Sequence, residues 1–310
     1  MRAVRNTDQG IRVAEASEPG GPGVHLDIAS AGICGTDVTF AAGGVQGYTY
    51  GHEFAGTTTD GQGFAVEPTV YCGKCDQCSA GHVQRCAAPG HGTLGIFRDG
   101  GMSDAVVVPE NMLVPLPPGL DVRDTCLAEP ASVAWHGVRR AALETGERLA
   151  IVGGGSIGLL AAASARRLGF AVDVDARHKH QIAAAQHLEA GQAHGVYDVV
   201  IDAAGSEAGL ARCADLARPG GRVVLLGVYQ HTVPLPGVVS LVKELTVINS
   251  IAYGRHDGIR DIEQAAAMLA ENPAIAETVI THRFALKDAA EAFRVAGDRA
   301  AGAIKVVLHP

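Results

Sequence analysis

The sequence has no cationic surplus to offer a polyanion. Its 25 basic residues are outnumbered by 33 acidic ones, the formal net charge is -8, and no run of Lys or Arg occurs. A nucleic-acid groove or an anionic membrane surface selects the opposite sign, so no nucleic acid and no membrane partner is expected. Long apolar runs are missing too. No stretch reaches roughly 18 uninterrupted apolar residues, so no transmembrane helix is expected. The opening MRAVRNTDQGIRV lacks the apolar core of a signal peptide, which points to a cytoplasmic protein. A disulfide framework is also unsupported: the seven cysteines are odd in number, and four crowd between Cys72 and Cys86. Without an export signal, that crowding reads as a metal site.

What remains is ordinary globular material, 310 residues with 47% hydrophobic and 19% charged. At roughly 100–200 residues per domain this suggests two domains. The first ~130 residues are rich in Gly, Thr and Val, with short apolar runs broken by turn residues, the texture of a small irregular β domain. The texture changes near Pro130. ASVAWHGVRRAALETG reads as an amphipathic helix ended by Gly146. Strands (RLAIV, AVDVDA, YDVVIDAAG, RVVLLGVY, KELTVINSIAY) then alternate with helices, among them SIGLLAAASARRLG, HKHQIAAAQHLEA and EAGLARCADLARPGG. That alternation implies right-handed βαβ units and a parallel sheet. DGIRDIEQAAAMLAENP adds a further helix, and the tail gives strand, helix, strand.

YCGKCDQCSAGHVQRC spaces Cys72, Cys75, Cys78 and Cys86 as C-x2-C-x2-C-x7-C. Four thiolates close a tetrahedral shell around Zn2+, leaving no open position, so this zinc is structural. Ferredoxin clusters use other spacings. Upstream, GICGTD and GHE supply a thiol (Cys34), an imidazole (His52) and a carboxylate (Glu53), donors suited to a catalytic zinc with one position free. Gly153, Gly155 and Gly158 form G-x-G-x-x-G directly after an apolar strand, with Ser156 and Ile157 opening a helix. In that context the motif signals pyrophosphate binding at a helix N-terminus.

These motifs, in this order and nearly from end to end, resemble the zinc-containing medium-chain alcohol dehydrogenase family. LAEPASVAWHG and KELTVINSIAY are similar to its sorbitol and butanediol dehydrogenase branch. The resemblance implies an α/β fold class: a Rossmann doubly wound parallel sheet plus a GroES-like irregular β-barrel catalytic domain. The GroES-like domain is expected over 1–131, with 274–310 returning to it, and the Rossmann domain over 132–273. It also implies Cys34 and His52 as catalytic-zinc ligands, with Glu53 or Glu129 as the carboxylate. Glu129 also suits a helix N-terminal acid complementing the macrodipole. Asp37 would orient the His52 ring, and Thr36 would hydrogen-bond the alcohol and start proton release. The family often has a histidine three residues after that hydroxyl, where this chain has Thr39. GHEFAGTTTDGQGFAVEP is shorter than the usual stretch.

For the cofactor, the family position that holds the ribose-binding acid aligns with Ala176, with Asp175 one place early. Arg177, His178 and Lys179 follow and suit a 2′-phosphate, favouring NADP over NAD. Gly205 and Gly227 match places where strand ends meet the cofactor. The expected activity is hydride transfer between a secondary alcohol, diol or polyol and NAD(P)+, in a homodimer or homotetramer. The alternatives are a metal-free quinone or enone reductase and a non-catalytic nucleotide-binding protein with only the structural zinc.

Overall fold

A computed structural model of the chain describes residues 1–88 and 90–310, with Arg299 described through its backbone alone. The chain forms two compact units, Met1–Glu129 with Gly254–Pro310, and Pro130–Tyr253.

The first unit is built on a seven-stranded sheet. Its central strand, Val24–Ile33, pairs antiparallel with Glu53–Thr57, Ala105–Val108 and Lys305–His309. The register of these strands brings residues distant in sequence together. Gly32 lies opposite Glu53, and Ile33 opposite Val306. One end of three neighbouring strands therefore carries Cys34, Glu53 and Lys305 to the same place. Leu26, Phe54, Val66, Met102 and Leu308 pack as the buried core beneath.

The second unit is a six-stranded sheet in the order Gly191–Gln192, Val172–Asp175, Leu149–Val152, Tyr197–Asp202, Ala217–Leu225, Thr246–Asn249. Every pairing is parallel. Counted along the chain, that is 3-2-1-4-5-6, the doubly wound order expected from the alternating pattern. The helix Ser156–Arg167 buries an unbroken Gly158–Ala165 run, whose small side chains let it lie close on the sheet.

Three expectations are corrected. The helix expected over 131–146 spans Ala128–Arg140, because Ala142 turns left-handed (φ 47°) before Gly146 is reached. The helix expected to run up to the Pro-Gly-Gly stop at 219–221 ends at Leu216, where Ala217 starts to pair with Tyr197. The return to the first unit comes at Gly254 and not at 274. There the Gly254 N–H donates to Asp261 at 2.8 Å, and Arg260 donates to the carbonyls of Asn111 and Leu113 at 3.2 and 2.9 Å. These bonds fasten the helix Asp261–Glu271 to the first unit.

Candidate active site and cofactor motif

Cys34 follows the central strand and caps the short helix Gly35–Ala42. Its backbone N–H donates to Asp37 at 2.9 Å, which fixes the turn. The Cys34 thiol, the His52 imidazole and the Glu53 carboxylate place one ligand atom each within 4.8 Å of one another. His52 and Glu53 are buried. His52 Nδ1 lies 3.5 Å from Asp37 Oδ1, and that buried nitrogen has no hydrogen-bond partner. With Nδ1 turned to Asp37, the imidazole stands beside a thiol and a carboxylate, and the three make a donor set that a zinc ion satisfies. Burial disfavours a charged imidazole, yet Asp37 and Cys34 outweigh it and hold the His52 pKa well above its ordinary value.

Glu53 has a second partner that the motifs did not reveal. The buried Lys305 ammonium donates to both carboxylate oxygens, at 2.7 and 2.6 Å, and to the Ile33 carbonyl at 3.2 Å. Burial works against that charge, but Glu53 and Cys34 offset it and raise Lys305 to about 12. A side chain on Gly32 would meet Glu53 Oε2 at 2.2 Å, so only glycine leaves room for the pair. The one signal in the sequence was a lysine inside the apolar tail AIKVVL. Glu129 belongs to the same buried cluster. Burial raises it to about 7, with His52 and Lys305 pulling it down and Glu53 and Asp37 pushing it up.

Thr36 sits in the first turn after Cys34. The Thr39 hydroxyl donates to the Gly35 carbonyl at 2.9 Å, so its proton is committed to its own helix.

The four-cysteine loop is closed. The Sγ separations are 3.5 Å (Cys75–Cys78) and 4.0 Å (Cys72–Cys78 and Cys75–Cys86). Zn–S bonds of about 2.3 Å put the sulfurs of a tetrahedral shell about 3.8 Å apart, so the loop fits the ion. The Cys75 N–H points at Cys72 Sγ and the Cys72 N–H at Cys86 Sγ, each at 3.4 Å. Backbone donors, that of Lys74 foremost, hold the Cys72 thiol down at about 6.

In the second unit, the glycine turn joins Leu149–Val152 to the helix Ser156–Arg167. A Cβ on Gly158 would lie 1.9 Å from the Gly153 carbonyl oxygen, so glycine is required for helix and turn to touch. A Cβ on Gly155, the residue that caps the helix, would meet nothing within 4 Å, so open space lies beside the helix N-terminus. Gly205 and Gly227 touch each other beyond the ends of their strands. The second strand ends at Asp175, whose carbonyl accepts from the Gly153 N–H at 3.0 Å. Asp175 therefore presents the acid at the strand end. Ala176 packs against the glycine turn, 2.7 Å from where a Cβ on Gly154 would sit. Arg177, His178 and Lys179 are exposed.

A dinucleotide-type parallel sheet, in one chain with a closed four-thiolate loop and an open thiol–imidazole–carboxylate trio, defines a zinc-dependent nicotinamide oxidoreductase. Comparison with known proteins narrows the class. Residues 20–118 match the alcohol dehydrogenase GroES-like domain, and residues 160–271 match the zinc-binding dehydrogenase model. The chain is 30% identical over 306 residues to the L-galactonate-5-dehydrogenase of Escherichia coli K12, covering 89% of this chain and 88% of the relative. The galactitol-1-phosphate dehydrogenase structure from Escherichia coli superposes with a TM-score of 0.89 at 28% identity, covering 100% of both chains. A Sinorhizobium meliloti protein solved bound to NADP superposes with a TM-score of 0.85 at 29% identity, covering 100% of this chain and 99% of that one. The chain belongs to the zinc-containing medium-chain alcohol dehydrogenase family, and it is a zinc- and NAD(P)-dependent alcohol dehydrogenase. Among the described residues, no helix is long and apolar enough to cross a membrane.

Proposed function

We propose that the enzyme interconverts a polyol or related secondary alcohol with its ketone, and that Cys34, His52 and one buried carboxylate hold the catalytic zinc. The observation that carries this is the convergence of Cys34, His52 and Glu53 within 4.8 Å, with Glu129 and Lys305 electrostatically coupled to them. A metal-free reductase has no use for that cluster. Bound zinc lowers the pKa of an alcohol hydroxyl, and bound nicotinamide accepts the hydride. Cys34 and His52 serve as ligands. Asp37 secures both, through the Cys34 N–H and beside the imidazole. Glu53 is the third ligand when Lys305 shares it, and Glu129 is the alternative carboxylate. Thr36 would hydrogen-bond the alcohol hydroxyl and start proton release, with the proton leaving through solvent and not through Thr39, which is committed to Gly35. In the second unit, Gly155, Ser156 and Ile157 receive the pyrophosphate and Asp175 faces the adenosine ribose. The relatives named for galactonate and galactitol 1-phosphate favour polyhydroxylated substrates.

We further assign a homodimer or homotetramer. Val238, Leu241 and Val242 on the short helix Gly237–Val242 are each at least 75% exposed. Ile251 is exposed too, just beyond the edge strand Thr246–Asn249. A second copy would cover that patch. Free thiols and thiolate-bound zinc suit the reducing cytoplasm.

A panel of secondary alcohols, diols and polyols, assayed with NAD+ and NADP+ by absorbance of the reduced nicotinamide, tests the reaction. Turnover with a polyol is expected, together with two zinc ions per chain by elemental analysis. In Cys34→Ala one zinc and all turnover should be lost while the circular dichroism spectrum is kept. No turnover on any member of the panel would sink the reading.

A further inference from the structure

The acid at the end of the second strand is already neutralised by a residue far away in the sequence. Arg212, on the helix Glu207–Leu216, donates through Nε to Asp175 Oδ2 at 2.5 Å. Arg212 is about half exposed (45%) and Asp175 less so (31%), so the pair lies at the surface with guanidinium N–H groups left over. Arg177 and Lys179 follow Asp175 directly and are exposed, and neither makes an ion pair among the described residues. Asp215 is the further acid whose charge reaches Arg212. The site is tied to the glycine turn: the Gly153 N–H donates to the Asp175 carbonyl, and Gly154 abuts Ala176 and Gln181.

An uncommitted carboxylate at this point accepts both ribose hydroxyls and repels a 2′-phosphate. Here one carboxylate oxygen is taken by Arg212, and the exposed Arg177 and Lys179 follow the acid in the chain, so the basic residues outnumber Asp175 and Asp215. A phosphate monoester carries about −1.5 to −2 charge at neutral pH. The balance therefore selects the phosphorylated ribose.

We propose that Arg212 is a cofactor-selecting residue: it cancels Asp175 and, with Arg177, receives the 2′-phosphate of NADP(H). The inference rests on the second unit binding a dinucleotide and is independent of which alcohol is oxidised. Without Arg212 the bare Asp175 faces the ribose, and the preference turns toward NAD(H).

Isothermal titration of the full-length enzyme with NADP+, NAD+ and adenosine 2′,5′-bisphosphate, without alcohol, tests this directly. Wild type should bind NADP+ about tenfold or more tighter than NAD+, and should bind the bisphosphate probe. Arg212→Ala should lose about tenfold or more of its affinity for NADP+ and for the probe, with NAD+ affinity within about threefold of wild type. Arg212→Lys should keep most of the NADP+ preference, and Asp175→Asn added to Arg212→Ala should restore part of it. An unchanged NADP+/NAD+ ratio in Arg212→Ala overturns the proposal, as does a wild-type preference for NAD+. If wild type binds neither dinucleotide, the nucleotide-binding reading falls with it; polyol turnover combined with an unchanged ratio removes the Arg212 assignment alone.

Discussion

Lys305 is the residue on which the charge balance of the buried Cys34–His52–Glu53 cluster turns. It is 3% exposed and holds both oxygens of Glu53, itself 1% exposed. Ionised groups this deep persist only when paired, and removing one partner of such a pair costs about 3–5 kcal/mol. Lys305→Met should therefore lower the melting temperature strongly in the presence of a chelator. Zinc should recover part of the loss, because the stranded Glu53 carboxylate then turns to the metal. Lys305→Met combined with Glu53→Gln should regain most of the stability without the zinc response. A melting temperature unaffected by Lys305→Met would mean that the pair contributes nothing. None of this could be read from the motifs. GHE advertises a ligand, but the partner that shares it comes from the far end of the chain, brought there by strand register.

At the scale of elements, the helix Asp261–Glu271 shows how a buried acid ties pH to docking. Arg260, at its start, holds the carbonyls of Asn111 and Leu113. Its Nε lies 3.8 Å from Glu67, whose Oε2 is buried without a hydrogen bond. Burial raises Glu67 to about 7, only partly offset by Arg260 and Arg255. With a folded pKa above the unfolded one, the folded chain keeps this proton where the unfolded chain has released it. The associated stability is present below pH 4.5 or so and is lost as pH rises toward 7, by about 3 kcal/mol. Glu67→Gln should therefore melt at a higher temperature relative to wild type at pH 8 than at pH 4.5, by calorimetry at both. An identical difference at the two pH values would rule the effect out. The pattern IRDIEQAAAML made this helix legible as a helix. Its membership of the first unit was not legible, because that follows from hydrogen bonds made by Arg260 and Asp261 and not from periodicity.

For the whole molecule, the parallel sheet ends at the strand Thr246–Asn249, which pairs on one side only among the described residues. The patch around Leu241 and Ile251 lies beside that edge. Exposed apolar side chains next to an open strand edge favour self-association. Leu241→Glu should shift the enzyme to the mass of one chain in size exclusion with light scattering, with the far-ultraviolet circular dichroism unchanged. A wild type already running as a single chain would remove the assignment.

The sequence by itself determined the alternation of strands and helices, the four-thiolate loop and the glycine turn, because each is local. Two-residue gaps, a 3.6-residue period and a strand–turn–helix join need no distant partner to be recognised. It also named Cys34, His52 and Glu53 as donors, and the resemblance put Asp37 and Glu129 beside them, but neither pointed to Lys305. Only the tertiary structure decided that Lys305 shares Glu53, that Thr39 is committed to its helix, and that Arg212 neutralises Asp175. Each of these is a through-space pairing whose strength depends on burial and on a separation of a few ångströms, quantities that chain order does not encode.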